Sequence, residues 1–190
     1  MVFIVLHNEV VTMKRLYLIV GRSGAGKDTY AHFLEEQGLK GVKSYATRPK
    51  RSYDEDTHIF ITQEEADKIT DKVAVTNING YEYFATKKQV DEADYYIIDP
   101  KGIMELTHNY KDLKYKIIYL YCDKEVRKER AISRGDAEKE IEIFTKRCNS
   151  ENAQFNEFEK WIFTFDNVII HNTSKITMNE LKELVHEDVF

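Results

Sequence analysis

"GRSGAGKDT", residues 21–29, is the segment from which the architecture of this 190-residue chain can be inferred. A phosphate-binding loop consists of Gly, four residues, Gly-Lys and then Ser or Thr, whose hydroxyl binds magnesium. Here Asp28 occupies the position of that hydroxyl and Thr29 follows it. Two alternatives arise: a nucleotide site with a changed metal ligand, or a Gly-rich turn that only begins a helix. The residues that match the spacing are Gly21, Gly26 and Lys27.

The segments on either side of the loop favour the nucleotide site. The run "RLYLIV" (15–20) is typical of a buried strand, and "KDTYAHFLEEQG" (27–38) has a helical pattern. The motif requires this order of strand, loop and helix, because the glycines let backbone N–H groups turn onto phosphate oxygens beside the positive end of a helix. We therefore predict an ATP-binding loop formed by Gly21, Ser23, Gly24, Ala25, Gly26, Lys27, Asp28 and Thr29.

Charge and metal chemistry assign roles within this loop. The lysine of such a loop neutralises the β- and γ-phosphates, which makes Lys27 a predicted catalytic residue. Magnesium takes oxygen ligands, so the Asp28 carboxylate can hold it directly or through water. The Thr29 hydroxyl can do so instead if the register shifts by one residue. Both residues are therefore candidate ligands for Mg2+.

Bulk composition excludes several classes of protein. The chain has 42% hydrophobic and 12% aromatic residues, which suits one folded domain with a sizeable core. Its formal net charge is -5, so no overall positive field recruits nucleic acid. Cys122 and Cys148 give no disulfide framework, and they predict reduced thiols in a cytoplasmic protein.

The first residues are apolar but predict neither a membrane segment nor a secretory signal. "MVFIVLHNEVV" is too short to span a bilayer, and it lacks a basic start and a small-residue cleavage site. Met13 opens "MKRLYLIVGRSG", which would itself make a natural chain start. We treat residues 1–12 as an appendage and residues 13–190 as a single domain.

Apolar runs alternate with helical patterns along this domain. The apolar runs predict strands at 15–20, 95–99, 116–122 and 167–172, and helical patterns lie around 27–37, 101–109, 123–134, 138–158 and 174–187. Strands separated by helices pair in parallel and carry helices on both faces. The predicted fold class is α/β, a P-loop NTPase with a five-stranded parallel sheet.

Residues 46–86 depart from this alternation. "HIFIT", "KVAVTNI" and "YEYFAT" have the pattern of antiparallel strands, and Asn79-Gly80 is a strong signal for a two-residue hairpin turn. We predict a small lobe inserted between core strands, in a position suited to a second substrate.

Two arginines stand where this lobe begins. Arg48 and Arg51 flank Pro49, and guanidinium groups three residues apart can fork onto the oxygens of a monophosphate. The alternative is a solvated basic loop, which is the usual fate of such a run.

At this point the chain resembles the guanylate kinase family of nucleoside monophosphate (NMP) kinases. That family binds the monophosphate with a Ser-x-x-Thr-Arg-x-x-Arg segment and an acidic residue, a Tyr-x-Phe strand and a Tyr-Gly-Ser/Thr strand, and has a core strand ending in Asp before x-x-Gly. Here "SYATRPKRSYD", "HIF", "YFAT" and "DPKG" match in order, from about Arg15 to the C-terminus. The resemblance implies ATP with Mg2+ as donor and an NMP site of Ser44, Arg48, Arg51, Asp54, His58, Tyr83 and Asp99.

The resemblance also implies a short lid, at about residues 127–140. Guanylate kinases carry arginines there and on the next helix, and arginines aimed at the transferring phosphoryl group stabilise its charge. The matching positions, predicted to be catalytic, are Arg130, Arg134 and Arg147. For Arg127 we prefer charge pairing with nearby glutamates on the helix surface. Asn172 follows the last core strand, where it either edges the adenine of ATP or caps the next helix.

The residues expected to read the acceptor base depart from the guanylate kinase pattern. The family places an acid on the strand before its Tyr-Gly-Ser/Thr hairpin, and "KVAVTNIN" contains none, with Ala74 nearest to that position. Glu82 is close but alternates with Tyr83, which places it on the opposite face. Thr76 or Asn77 could read thymine, uracil, cytosine or a modified base. We therefore expect an acceptor that is not simply GMP, with a deoxynucleotide among the candidates.

The sequence predicts an ATP-dependent NMP or dNMP kinase, with small-molecule nucleotides as partners and neither nucleic acid nor membrane. A P-loop GTPase or ATPase is one alternative, since "DPKG" imitates a γ-phosphate sensor, but no Asn-Lys-x-Asp guanine reader follows. A non-catalytic guanylate kinase-like binding module is the other, and the retained glycines and lysine of the loop argue against it.

Overall fold

The computed structural model describes residues 3–6, 9–12, 15–50, 52–78, 80–133, 137–165 and 167–189. Helices and strands alternate along the core, and the described residues between 45 and 86 form four further strands. The strands are β1 (Phe3–Leu6), β2 (Glu9–Thr12), β3 (Leu16–Val20), β4 (Tyr45–Ala46), β5 (Ile59–Phe60), β6 (Lys72–Ile78), β7 (Tyr81–Thr86), β8 (Tyr95–Ile97), β9 (Tyr115–Tyr121) and β10 (Val168–Asn172). The helices are α1 (Lys27–Glu36), α2 (Gln63–Ala66), α3 (Lys87–Glu92), α4 (Pro100–Asn109), α5 (Lys124–Ile132), α6 (Ala137–Trp161) and α7 (Met178–Val189).

The core sheet is parallel and has the strand order β10-β9-β3-β8. The predicted α/β class is confirmed, but the described residues form four core strands, not five. The missing strand is reduced to one bridge, at which Gly41 pairs in parallel with Tyr95. The chain follows β8 only from Lys40 to Val42, then leaves for the inserted sheet as β4, so too few residues remain beside β8 to form a strand.

Side-chain alternation along the core strands builds two apolar layers. Leu18 and Ile117 point to one face, where they pack with residues of α4 and α6 such as Leu106 and Phe158. The next residue of each strand points to the other face and packs with α1 and α7. Period-two alternation on strands that are buried on both sides explains the continuous apolar runs at residues 18–20 of β3 and 117–120 of β9.

The inserted lobe is a four-stranded sheet of order β5-β4-β7-β6. The predicted hairpin is confirmed, because β6 and β7 pair antiparallel up to Ile78 opposite Tyr81, and Gly80 has a φ of 82°. The prediction that "HIFIT" pairs antiparallel is wrong, since β5 runs parallel to β4. A loop of about a dozen residues joins β4 to β5, and a connection of that length allows the chain to return in the same direction.

The N-terminal segment forms a separate two-stranded antiparallel sheet, in which β1 pairs with β2 from Phe3 opposite Thr12 to Leu6 opposite Glu9. Its status as an appendage stays a prediction. Among the helices of the described residues, none has the length and apolar character needed to cross a membrane.

Candidate active site

The phosphate-binding loop lies between β3 and α1, and its glycines meet specific steric demands. Gly24 and Gly26 have φ values of 83° and 99°, in the left-handed region that favours glycine. A Cβ on Gly21 would lie 2.6 Å from the carbonyl oxygen of Leu120. The spacing read from the sequence therefore corresponds to a real loop conformation that ends at the first residue of α1, Lys27.

Four consecutive backbone carbonyls of this loop accept hydrogen bonds from side chains. Lys27 Nζ donates to Arg22 O (3.3 Å) and Arg127 Nη1 to Ser23 O (3.1 Å). Arg130 Nη1 donates to Gly24 O (3.2 Å), and Thr173 Oγ1 to Ala25 O (2.8 Å). These contacts hold the loop in place through its own backbone, which is what a preformed phosphate site needs. The donors are Lys27, Arg127, Arg130 and Thr173.

The side chains of Arg127 and Arg130 both point to the phosphate-binding loop and donate to its carbonyls. Surface charge pairing for Arg127 is wrong, because this residue is only 4% exposed and also donates from Nε to Cys122 O at 3.1 Å. Arg130 Nη2 donates to Thr173 O at 2.6 Å, so its guanidinium packs against the loop. Its catalytic role stays a prediction. The sequence could not show that Arg127 is buried, because Arg127 and Arg130 both lie on α5 at helical spacing.

Lys27 lies partly buried at one end of a cavity. Burial lowers the pKa of Lys27, and the nearby Arg147 contributes in the same direction, against the opposing charge of Asp28. The Asp28 carboxylate is exposed, and Thr29 is partly exposed beside it in the first turn of α1. These oxygen donors at a helix N-terminus fit a magnesium ion that also binds nucleotide phosphates. Within the described residues no cluster of three or more His, Cys, Asp or Glu side chains forms an all-protein metal site.

Glu151 of α6 contacts the loop directly, and sequence reasoning missed it. Its carboxylate accepts from the Ser23 backbone N–H at 3.0 and 3.2 Å and from Ser23 Oγ at 3.0 Å. It also forms an ion pair with the buried Arg127 at 3.3 Å. Its position could have been inferred from the sequence, because Glu151 lies one helical turn after the predicted site residue Arg147 and so shares its face of α6.

Arg22 makes a second connection between the loop and α6. Its Nε donates to Glu159 at 3.1 Å, and its terminal nitrogens donate to Asn152 (3.0 Å) and Asn156 (2.9 Å). Burial opposes ionisation of Glu159, but hydrogen bonds from Arg22 and Tyr119 outweigh it and lower the pKa of Glu159. The helix α6 is thereby attached to the phosphate-binding loop.

One cavity of about 520 Å³ joins the phosphate-binding loop to the inserted lobe. Its cationic end holds Lys27 and Arg147, and its other end is formed by polar and aromatic residues of the lobe and core. Sequence reasoning did not anticipate that Gln154 and Phe155 of α6 line this cavity. The lining residues that matter below are Ser23, Lys27, His58, Thr76, Tyr83, Asp99, Arg147, Glu151 and Gln154.

The lobe end of the cavity brings together several predicted NMP residues. Ser44 Oγ lies 2.9 Å from His58 Nδ1, and the His58 ring meets the ring of Tyr83 edge-on at 5.4 Å between centroids. Asp99 Oδ1 accepts from Gly102 N at 2.7 Å and from Gln154 Nε2 at 2.8 Å. Thr76, also predicted, is buried and pairs across the hairpin with Tyr83.

Arg48 is buried behind this wall, and it forms an ion pair there. Its guanidinium forks onto Glu55 at 2.5 and 2.9 Å, and its Nε donates to Tyr83 Oη at 3.0 Å. Arg51 lies outside the described residues. Asp54 is exposed, and a hydrogen bond from Ser52 lowers its pKa. The acid that pairs with Arg48 is therefore Glu55 and not Asp54.

Arg134 and Asn172 are the remaining predicted site residues. Arg134 falls outside the described residues, as does the rest of the predicted lid from 134 to 136. Asn172 is exposed, and its Oδ1 accepts from Ser174 N at 3.0 Å, in the turn that follows β10. Glu82 pairs with Lys72 on the face of the hairpin away from the cavity lining, as its alternation with Tyr83 predicts.

The parallel sheet, the loop and the inserted lobe define a P-loop NTPase with a guanylate kinase-like fold. A family model described as "AAA domain" matches residues 18–157, and the chain belongs to that family. The solved structure of guanylate kinase from Anaplasma phagocytophilum is similar, with a TM-score of 0.59 and 14% identity over 91% of this chain and 83% of that one. Comparison with curated proteins gives no match.

Proposed function

We propose that the protein transfers the γ-phosphate of ATP to a nucleoside or deoxynucleoside monophosphate. The observation that carries this proposal is the shared cavity, which has Lys27 and Arg147 at one end and Tyr83, Thr76 and His58 of the inserted lobe at the other. A transferase needs both substrates in one water-restricted space, whereas a GTPase or ATPase needs no second nucleotide site. The intact loop geometry argues against a non-catalytic binding module.

Positioning and charge stabilisation would carry the reaction without a covalent intermediate. Lys27 neutralises the donor phosphates, and Arg147 approaches the same end of the cavity from α6. Charge on the transferring phosphoryl group develops between these cations, where it is stabilised most. Mg2+ held by Asp28 or Thr29 would supply further neutralisation of the β- and γ-oxygens. Arg130 would contribute from α5 and Arg134 from the predicted lid, and Asn172 would border the donor base.

The acceptor base is proposed to be one other than guanine alone. The acids among the described cavity-lining residues are Asp99 and Glu151, and each already accepts hydrogen bonds from protein donors. The strand position where the guanylate kinase pattern places an acid is Ala74. Thr76 lines the same wall, and its hydroxyl suits thymine, uracil, cytosine or a modified base. Asn77 pairs across the hairpin with Glu82, so its side chain points to the other face of the hairpin and Thr76 is the stronger candidate.

A coupled assay of ADP release tests the proposal with each common NMP and dNMP as acceptor. We expect acceptor-dependent ATP consumption, with the highest kcat/KM for a nucleotide other than GMP or dGMP. ATP consumption that does not respond to any acceptor would reject the kinase. A strong preference for GMP and dGMP would reject only the base assignment. The Lys27→Ala variant serves as the control for contaminating kinases.

A further inference from the structure

The buried ion pair of Arg48 and Glu55 lies directly behind Tyr83. The side chains of Arg48 and Glu55 are 7% and 9% exposed, and neither residue lines the cavity, whereas Tyr83 does. The Arg48 guanidinium also lies over the Phe60 ring, 4.9 Å from its centroid. Arg48 therefore reaches the cavity only through the tyrosine.

The donor capacity of Arg48 is largely committed to protein acceptors. A guanidinium has five N–H donors and no acceptor. Four hydrogen bonds from Arg48 go to Tyr83 Oη, Pro49 O and the two oxygens of Glu55. A bidentate fork onto a phosphate would require Arg48 to give up its bonds to Glu55, and breaking a buried ion pair has a large energetic cost.

The same geometry determines how the Tyr83 hydroxyl is used. Because Arg48 can only donate, the Tyr83 oxygen must accept the bond from Arg48 Nε. The hydroxyl proton of Tyr83 then points to another partner, and the Tyr83 side chain lines the cavity. A hydroxyl that accepts from a cation is also a stronger donor, since hydrogen bonds in a chain polarise one another.

We propose that Glu55 is a positioning residue for the acceptor phosphate: it holds Arg48 so that the Tyr83 hydroxyl is presented as a hydrogen-bond donor to that phosphate. Glu55 acts through Arg48 and Tyr83 and does not touch the substrate. The proposal rests on the proposed function, because it assigns Tyr83 to the acceptor. The family resemblance did not point to Glu55, since the acid it matched was Asp54.

Steady-state kinetics and equilibrium binding of the monophosphate test this role in Glu55→Gln, Tyr83→Phe and the double variant. We expect Glu55→Gln to raise the acceptor KM and Kd about tenfold, and Tyr83→Phe by about tenfold to a hundredfold, with the KM for ATP unchanged. In the Tyr83→Phe background, Glu55→Gln should add nothing, because the hydroxyl through which it acts is gone. Glu64→Gln, an exposed acid on α2, is the matched control and should leave every constant unchanged.

Two results would overturn the proposal. A lower acceptor KM in Glu55→Gln would mean that Glu55 competes with the phosphate for Arg48. An equal rise in both backgrounds would mean that Glu55 acts independently of Tyr83. If Glu55→Gln does not fold, Arg48→Lys takes its place, alone and combined with Tyr83→Phe. This substitution keeps the positive charge but removes the bidentate hydrogen bonds to Glu55. Failure of the proposed function appears in the wild-type protein, as absence of monophosphate binding and transfer, and failure of this inference appears only in the variants.

Discussion

Lys27 illustrates how single residues of the site depend on their surroundings. Its ammonium group donates to Arg22 O within its own loop, and it lines the cavity. Burial lowers its pKa, so the charged form is less favoured here than in water. Bound phosphates would reverse that balance by supplying opposite charge. The loop thus places a cation whose charge is best stabilised when a nucleotide is present.

We expect Lys27→Ala to lower kcat by about two to three orders of magnitude, the range observed when a group that stabilises transition-state charge is removed. Single-turnover kinetics at saturating ATP measure this effect without interference from product release. Lys128→Ala removes an equally charged but exposed lysine from α5 and should change nothing. Near-normal turnover in Lys27→Ala would contradict the assignment of the loop.

At the scale of elements, the structure connects the phosphate-binding loop to the long helix α6. Ser23 is bound by Glu151, and Arg22 is bound by Glu159 and two asparagines. Because Arg147 lies on the same helix, its distance from Lys27 depends on these contacts. Movement of α6 relative to the loop would therefore change the distance between the Lys27 and Arg147 cations.

Glu159→Gln tests the contribution of this connection to stability. The Glu159 side chain is 33% exposed, so solvent screening limits the expected loss to about 1 kcal/mol at neutral pH. The pKa of Glu159 is lowered below its ordinary value of 4.5, so its contribution is present above that pH and is lost as the pH falls through the folded-state value.

Urea unfolding at neutral pH and in acid, compared between wild type and Glu159→Gln, measures this dependence. The difference in the free energy of unfolding should be constant above about pH 5 and shrink in more acidic solution. Glu157→Gln disrupts an exposed pair with Lys160 on the same helix and is the control. A difference that grows in acid would contradict the assigned direction of the pKa shift.

At the scale of the whole molecule, α7 completes the core whereas the N-terminal hairpin pairs with itself. Leu181 and Val185 of α7 are buried against the sheet. Asp188 accepts hydrogen bonds from the buried Tyr30 and from His171, the latter at 2.7 Å. The strands β1 and β2 form their own two-stranded sheet.

Removal of residues 1–12 should therefore leave kcat unchanged and shift Tm by less than about 3 °C, because no core element is lost. Removal of residues 178–190 is the matched control, and we expect it to abolish cooperative unfolding, since each buried Leu or Val contributes about 1.5–3 kcal/mol. Circular dichroism during thermal unfolding and the ADP-release assay measure both outcomes. Loss of activity in the variant that lacks residues 1–12 would show that the N-terminal strands belong to the catalytic domain.

The sequence by itself determined the class of fold and the phosphate-binding loop, because these depend on local patterns. The spacing of Gly21, Gly26 and Lys27 specifies a loop conformation, and apolar runs of the right length specify buried parallel strands. The hairpin turn at Gly80 is equally local. Each of these signals lies within about ten residues of chain.

Only the tertiary structure decided which side chains meet. Glu151 reaches Ser23 across 128 positions of sequence, and Arg48 takes Glu55 as its partner although Asp54 stands one residue nearer. Arg127 has the helical spacing of a surface residue but is buried, because the loop offers it a carbonyl that needs a donor. Such pairings depend on the packing of α5, α6 and the inserted sheet around the cavity, and no local pattern encodes the distances between elements.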